Sequence, residues 1–238
     1  MNERPNESTP ESNFEFEALR AAKNYRQALV QEFAPHLRGR VIEIGAGVGQ
    51  ITELLCQIRR IQHLVSIEPD AGFCQECRTT FPTQPLIEGT IQSLQSDESW
   101  DALVTINVLE HILEDERELA HYGQLLRQGK GKLCLFVPAR QEIYAPIDRA
   151  FGHHRRYSKT ELRRKLQDAG FDILRLNYFN CVGYFVWWLN FCVRKRRHFD
   201  VSLVRFFDRV IFPCVYGFES RVIAPPFGQS LIAVAQAR

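Results

Sequence analysis

The stretch Val41-Ile-Glu-Ile-Gly-Ala-Gly-Val-Gly-Gln50 decides the fold of this chain. Its first four residues are typical of a buried β-strand, and glycines follow at positions 45, 47 and 49. Helix-forming sequence begins at residue 51. Glycines let the backbone turn sharply and approach a ligand closely, and the next helix presents free N–H groups. The stretch therefore predicts a nucleotide-type cofactor site at the first strand-to-helix turn of an α/β sheet.

The spacing of the glycines narrows the kind of cofactor. A dinucleotide-binding turn has the pattern G-x-G-x-x-G, which requires a glycine where this chain has Gln50. The pattern here is E-x-G-x-G-x-G, beginning at Glu43. A carboxylate beside the loop repels a pyrophosphate and suits a cationic ligand. A nicotinamide-dependent Rossmann oxidoreductase is therefore the disfavoured alternative.

The bulk properties are those of an ordinary globular protein of 238 residues. A formal net charge of +2 argues against binding through bulk positive charge, so we expect no nucleic-acid partner. Seven scattered cysteines predict reduced thiols and a cytoplasmic protein. Cys74 and Cys77 form a C-x-x-C without a second pair, so we predict no metal site. Residues 1–13 are polar and predict a disordered leader, followed by a single domain over 14–238.

Apolar runs alternate with helix-like sequence along that domain. A helix is predicted at 14–36, and strands are predicted at 40–45, 63–68, 85–88, 101–107, 132–137, about 171–178 and 230–235. This alternation predicts a mostly parallel sheet with helices on both faces. A capping box at Ser158-Lys-Thr-Glu161 predicts another helix, which Gly170 would end. The segment between the last two strands, about 179–229, is rich in aromatic residues and predicts a helical insertion.

Two motifs resemble those of a known enzyme family. Glu43 to Gly49 resembles motif I of the class I S-adenosylmethionine-dependent methyltransferases, and Asn107-Val-Leu-Glu-His-Ile112 resembles their motif after strand four. The second motif is similar to that of the ubiquinone-biosynthesis O-methyltransferases. The resemblance covers about residues 20–178 and the last strand. It implies a Rossmann-like sheet with an antiparallel last strand, and S-adenosylmethionine as cofactor.

The resemblance also implies which residues contact that cofactor. Glu68 ends the second strand, where a carboxylate can accept hydrogen bonds from a ribose diol. Thr90 and Ile91 correspond to the segment beside the adenine, and Asn107 lies below the methionine portion. Tyr25 lies on a lid helix, with core packing as its alternative role. The implied cofactor-binding set is Tyr25, Glu43, Gly45, Ala46, Gly47, Gly49, Glu68, Pro69, Thr90, Ile91, Asn107 and Val108.

Residues 144–157 gather ionisable and aromatic side chains after the fifth strand. The segment from Asp148 to Ser158, D-x-x-x-G-H-x-R-R-Y-S, resembles a loop of bacterial methyltransferases of secondary and cell-surface metabolism. We predict His111, His153 and Tyr157 as catalytic residues, because oxygen acceptors benefit from a base. The predicted acceptor-binding residues are Tyr144, Asp148, His154, Arg156, Tyr184 and Trp188. The alternatives are a charged surface loop and, for His111, local packing.

The aromatic insertion has two interpretations. Its aromatic side chains could wall an apolar acceptor pocket, or form a dimer face or a peripheral membrane contact beside the basic run Arg194–Arg197. A monomer and a homodimer are both compatible with the sequence. We predict methyl transfer to a small-molecule or lipid-like acceptor, at oxygen rather than nitrogen or carbon. A catalytically silent methyltransferase-like binding module is the non-enzymatic alternative.

Overall fold

A computed structural model describes residues 17, 19–94, 99–221 and 225–238. Within these residues, seven strands form one sheet in the order β3-β2-β1-β4-β5-β7-β6. The strands are β1 (Gly39–Ile44), β2 (Ile61–Glu68), β3 (Leu86–Glu88), β4 (Ala102–Ile106), β5 (Lys132–Pro138), β6 (Phe171–Phe179) and β7 (Ser230–Ala237). Strand β7 pairs antiparallel with β5 and β6, and the other neighbours pair parallel. The predicted Rossmann-like fold class is confirmed, whereas the predicted leader lies outside the described residues.

Alternating side chains of the strands build two cores on opposite faces of the sheet. Val41 packs in one core and Ile42 in the other, as the two-residue period of a strand requires. One face is covered by α1 (Lys23–Phe33), and the other by α4 (Asp115–Arg127) and α6 (Lys159–Asp168). The remaining helices that precede β6 are α2 (Thr52–Leu55), α3 (Ala71–Thr80) and α5 (Pro146–Ala150).

Local capping explains where α6 begins and ends. The Ser158 hydroxyl accepts a hydrogen bond from the Glu161 backbone N–H at 3.1 Å, as the sequence predicts. Gly170 follows the helix with φ +86°, a backbone conformation that favours glycine. The helix therefore stops where β6 must start.

The described residues between β6 and β7 are mostly helical. Helix α7 (Cys181–Trp187) continues as a π-helical turn (Trp188–Val193), and α8 (Val201–Phe206) continues through a second π-helical turn (Phe207–Ile211) into α9 (Phe212–Arg221). We call residues 181–221 the cap. Its Trp187 and Phe191 pack on Ile143 and Ile147. In the described part of the chain, no helix has the length and hydropathy needed to cross a bilayer.

Candidate active site

The turn after β1 requires glycine at its predicted positions. Gly45, Gly47 and Gly49 have φ values of +78°, +53° and +86°, which other residues rarely adopt. Space is also limiting, because a Cβ on Gly45 would lie 2.2 Å from Val108 Cγ2. A Cβ on Gly49 would lie 2.8 Å from the Phe81 ring. The turn is therefore held in one shape by its own backbone conformation and by the close approach of Val108 and Phe81.

Glu68 stands at the carboxyl end of β2 and touches this turn. One of its carboxylate oxygens accepts a hydrogen bond from the Gly47 N–H at 2.8 Å, and the other accepts one from the Asp70 N–H at 3.0 Å. Burial raises the pKa of Glu68, and these two hydrogen bonds oppose the rise. The carboxylate therefore lies at the end of β2 and against the glycine turn, and its contact with a ribose stays a prediction.

Glu43 lies under the same turn and is 2% exposed. Its Oε2 accepts hydrogen bonds from the Thr52 hydroxyl at 2.6 Å and the Ser66 hydroxyl at 2.7 Å. Among the described residues, Oε1 has no hydrogen-bond partner. Burial raises the pKa of Glu43 to about 7, and the two hydroxyl hydrogen bonds oppose that rise. A buried carboxylate with an unsatisfied oxygen fits a cationic ligand at this turn.

The other implied cofactor residues follow the neighbouring strands. Pro69 and Thr90 are exposed just after β2 and β3, and Ile91 is buried beside them. Asn107 follows β4 with φ +53°, and its N–H donates to the Phe136 carbonyl at 2.9 Å. Because β2, β3 and β4 are parallel, these residues share the edge of the sheet that carries the glycine turn.

A cavity of about 230 Å³ lies beside Asn107, between the sheet edge and the cap. Aromatic side chains of the cap and the loops form much of its wall, including Phe151, Trp187, Phe191, Phe199 and Phe207. Its polar lining includes Asn107, His153, Arg156, Asn180, Asp208 and Ser230. Tyr25 also lines it and packs edge-on against Phe136 and Phe179. The cavity therefore adjoins two of the residues implied for the cofactor.

A buried ion-pair cluster forms part of the cavity wall. Asp148 Oδ1 lies 3.1 Å from His153 Nδ1 and 2.8 Å from Arg156 Nη2. Burial alone would raise the pKa of Asp148, but hydrogen bonds from His153 and the Arg156 charge outweigh it and lower the pKa. The Arg156 guanidinium also lies 4.3 Å from the centre of the Trp187 ring. The cluster thus joins the loop after β5 to the cap.

His111 and Glu110 adjoin this cluster from the motif after β4. The His111 and His153 rings meet edge-on with their centres 4.6 Å apart, and Glu110 Oε1 lies 3.9 Å from His153 Nε2. Burial, with the charge of His153, lowers the pKa of His111 to about 3, so His111 is neutral at neutral pH. One ligand atom from each of Glu110, His111 and His153 lies within 4.8 Å of the others, a spacing that could hold a metal ion. The sequence-based prediction of no metal site overlooked this group, because His153 is remote in sequence.

Several residues predicted for catalysis or acceptor binding lie outside the cavity lining. The Tyr157 hydroxyl is buried and donates to Asp115 Oδ2 at 2.7 Å, which gives it a structural partner. The Tyr144 hydroxyl donates to the His153 carbonyl at 2.7 Å and so supports the cluster from behind. His154 is exposed, Trp188 is exposed, and Tyr184 packs against Phe185 and Phe227. The cap residues that line the cavity include Trp187, next to the predicted Trp188, and Phe191, one helical turn further along.

Contacts between distant segments contribute residues that the sequence reasoning missed. Asp208, buried in the cap, accepts hydrogen bonds from the Asn24 and Tyr25 N–H groups at 3.0 and 2.9 Å, and so caps α1. Arg26 on α1 donates to the Gln50 carbonyl at 2.9 Å. Asn180 donates to Gln229 at 3.1 Å across the base of the cap. The Asp208 contacts join positions more than 180 residues apart, so no local pattern could have indicated them.

A family model described as a methyltransferase domain matches residues 17–176, two thirds of the chain. The chain belongs to this family. The methyltransferase is 30% identical over 111 residues to an uncharacterized methyltransferase of Bacillus mycoides (strain KBAB4). That alignment covers 44% of this chain and 51% of the relative. The chain thus spans about half the length of the curated relative it matches. The match favours a methyltransferase over the nicotinamide-dependent oxidoreductase that the glycine turn left open.

Solved structures share the fold of the methyltransferase at low identity. A methyltransferase in complex with the Haloferax volcanii Trm112 activator has a TM-score of 0.62 at 14% identity, covering 94% of this chain and 93% of that one. A SAM-dependent methyltransferase from Archaeoglobus fulgidus has a TM-score of 0.61 at 18% identity, and the match covers 94% of this chain and 99% of that one. Magnesium protoporphyrin IX methyltransferase from Synechocystis PCC 6803, with bound SAM, has a TM-score of 0.53 at 16% identity. That match covers 90% of this chain and 80% of that one. The predicted cofactor, S-adenosylmethionine, is confirmed for this family and fold, whereas the ubiquinone-biosynthesis subgroup stays a prediction.

Proposed function

We propose that this methyltransferase methylates a hydroxyl oxygen of a small or amphiphilic acceptor bound in the cavity under the cap. One observation carries the proposal: His153, oriented by Asp148, lines an aromatic-walled cavity that adjoins Asn107 and Tyr25. The cavity thus supplies an apolar binding surface and a titratable group together. Pockets of this composition, few in any protein, are where substrates bind.

The donor side of the site fits S-adenosylmethionine. When bound, this cofactor supplies an electrophilic methyl group on a positively charged sulfur. Glu43 would complement positive charge through its unsatisfied Oε1, and Glu68 would accept hydrogen bonds from the ribose. The glycine turn brings backbone close to the ligand without side chains in the way. Thr90 and Ile91 would flank the adenine, and Asn107 would lie below the methionine portion.

The acceptor side can hold a proton. Asp148 accepts from His153 Nδ1, which fixes the ring, and Nε2, which is buried 3.9 Å from Glu110 Oε1, would take the proton of an acceptor hydroxyl that reaches it. Two buried carboxylates, Asp148 and Glu110, stabilise the resulting imidazolium. His111 is neutral and packs on the His153 ring, so it acts as a positioning residue in this mechanism. A nearby base is most useful for an oxygen acceptor, which supports oxygen as the methylated atom.

The cap contributes by positioning the acceptor and excluding water. Trp187 and Phe191 pack on the loop after β5 and face the cavity, so an acceptor bound there is largely desolvated. Holding two reactants at near-attack distance supplies much of the rate acceleration in a two-substrate transfer. Excluding water also strengthens the interactions of the buried cluster. The proposed single domain, residues 14–238, therefore includes the cap as part of its active site.

The first experiment measures donor binding and methyl transfer on the same preparation. Calorimetry is expected to show micromolar binding of S-adenosylmethionine and of its demethylated product. Incubation with methyl-labelled donor and separate aqueous and lipid extracts is expected to label one acceptor, whose product is then identified by mass spectrometry as a methyl ether. Donor binding without transfer to any extract would favour the silent binding module. The absence of donor binding would reject the enzyme function altogether.

A further inference from the structure

The outward face of the cap carries most of the exposed apolar surface in the described part of the chain. Nine of the eleven large apolar side chains that are exposed belong to it, namely Phe185, Val186, Trp188, Leu189, Val193, Leu203, Phe206, Val210 and Phe218. The other two are Leu113 and Leu174. Grouped exposed apolar residues mark an interaction surface, whereas scattered ones are normal.

The helical spacing shows that this surface is separate from the cap's inner packing. Leu203, Phe206 and Val210 recur at i, i+3 and i+7, which places them on one stripe of the α8–α9 helix. The inner stripe of the same helix contains Phe207 and Phe212, which pack with the core that α1 covers. The helix therefore has two apolar stripes: the inner one packs in the core, and the outer one is exposed, with Leu203 also bordering the cavity.

The charge of the cap is also directed outward. The cap contains seven Lys and Arg residues and three Asp and Glu residues, a net charge of +4, so the rest of the +2 chain sums to −2. Two of the three acids are engaged inside the protein, because Asp208 caps α1 and Glu219 accepts from the Asn180 and Cys181 N–H groups. The exposed cations are Arg194, Lys195, Arg196, Arg197, Arg205 and Arg209. The outward face combines aromatic residues with positive charge.

We propose that the cap docks on an anionic lipid bilayer through this face. Tryptophan and phenylalanine enter the boundary between headgroups and acyl chains, while arginine and lysine reach the lipid phosphates along their apolar stems. Six exposed cations among the described side chains of the cap, in a segment of net charge +4, match an anionic surface. A bilayer can bind both the exposed apolar side chains and the positive charge of this face. The helices lie along the interface and do not cross it.

The cavity opens at this face. Val186 and Leu203 are 40% and 51% exposed, and both also line the cavity. An acceptor with an alkyl chain would therefore pass these two apolar side chains between the bilayer and the cavity. This second part rests on the proposed function, and it assigns the acceptor to membrane amphiphiles that carry a hydroxyl head group.

Vesicle sedimentation tests the docking directly. The full chain is expected to sediment with vesicles of phosphatidylcholine and phosphatidylglycerol in equal amounts, to bind pure phosphatidylcholine weakly, and to dissociate as salt is raised. Arg194→Glu with Arg197→Glu is expected to weaken partitioning at least about tenfold. The matched control is Arg59→Glu with Arg60→Glu, which changes two exposed arginines outside the cap. Equal loss in both double variants would reject a specific docking face.

A second pair of variants tests the apolar contribution. Trp188→Ser with Phe206→Ser is expected to weaken vesicle partitioning at least about tenfold, whereas Leu113→Ser with Leu174→Ser leaves it unchanged. Analytical ultracentrifugation runs alongside. A dimer of the unmodified protein that the Trp188 and Phe206 variant abolishes, without vesicle binding by either, would assign the face to a second copy and overturn the proposal.

Two further readouts separate this proposal from the proposed function. Calorimetric binding of S-adenosylmethionine by every variant shows that each one is folded. Labelled methyl appearing only in water-soluble products would overturn the assignment of a membrane acceptor while leaving vesicle docking intact. Vesicle docking without any methyl transfer would reject the proposed function alone.

Discussion

The donor and acceptor sides of the site hold their buried carboxylates in opposite ways. On the donor side, the described hydrogen-bond donors to Glu43 and Glu68 are hydroxyl and backbone N–H groups, and burial raises the pKa of each. On the acceptor side, Asp148 contacts His153 and Arg156, and its pKa is lowered. In the described part of the chain no cation pairs with either carboxylate, although Arg26 reaches the Gln50 carbonyl of the same turn, so a cationic ligand can supply that charge. Arg156 neutralises Asp148, and His153 beside Glu110 can take up a proton, so the acceptor side suits a neutral ligand and proton transfer.

The largest expected effect comes from blocking the donor side alone. Gly47→Arg places a side chain at φ +53° and inserts a cation beside Glu43 and Glu68. We expect it to weaken S-adenosylmethionine binding at least about a thousandfold, below calorimetric detection. Gly217→Arg is the matched control, because nothing lies within 4 Å of a Cβ at that helical position. If Gly47→Arg binds the cofactor normally, the donor site is elsewhere.

On the acceptor side, His153→Ala is expected to change turnover and not donor binding. Loss of a general base lowers kcat about a hundredfold, with the donor Kd within about twofold of the unmodified protein. His111→Ala acts through the His153 ring and is expected to lower kcat about tenfold. The control is His63→Ala, an exposed histidine near Trp100. Steady-state kinetics measures kcat, and calorimetry measures the donor Kd. Full activity of both His153→Ala and His111→Ala would show that neither histidine is needed as a base or to position one.

The link between the two sides predicts a smaller effect. Asp208→Ala removes the cap on α1 and should weaken donor and acceptor affinity together, by about tenfold each. Asp200→Ala removes a similar cap from α8, where Asp200 accepts from the Ser202 and Leu203 N–H groups. We expect the control to lower the thermal midpoint alone. Equal behaviour of the two variants would show that Asp208 only stabilises a helix.

The smallest effect is the pH dependence of Glu43. Its pKa of about 7 lies above the ordinary 4.5, so the folded protein retains a proton that the unfolded chain releases. The contribution of Glu43 to stability is therefore complete below about pH 4.5 and is lost as pH rises through about 7. A cationic cofactor prefers the ionised form, so its affinity should rise about fivefold between about pH 6 and about pH 8.

Glu43→Gln should make both the stability of the protein and its affinity for the cofactor less dependent on pH. Glu88→Gln, which changes an exposed acid at the end of β3, should leave them as they are. Calorimetry and thermal unfolding across this pH range provide the measurements. A cofactor affinity that is independent of pH in the unmodified protein would mean that Glu43 does not sense the bound charge.

The two sides also differ in how far the sequence reveals them. The glycine turn and Glu68 follow from local backbone requirements within one strand-turn-helix unit, which a short pattern records. The acceptor wall depends on the rotation of the α7 helix, so Trp187 faces the cavity and Trp188 faces outward although they are adjacent. Tyr157 resembles a catalytic residue in sequence, but its hydroxyl is bonded to Asp115, 42 residues away. Such contacts arise only when distant segments pack.

Helix α1 contacts both the glycine turn on the donor side and the cap on the acceptor side. Arg26 bonds the Gln50 carbonyl at the end of the glycine turn, while the first backbone amides of the same helix bond Asp208 in the cap. A ligand that orders either end orders the helix for the other, so we expect each substrate to raise the affinity of its co-substrate by the same factor. Loss of either bound molecule would then weaken binding of the other by the same factor, so release of the spent donor and of the methylated acceptor would be coupled.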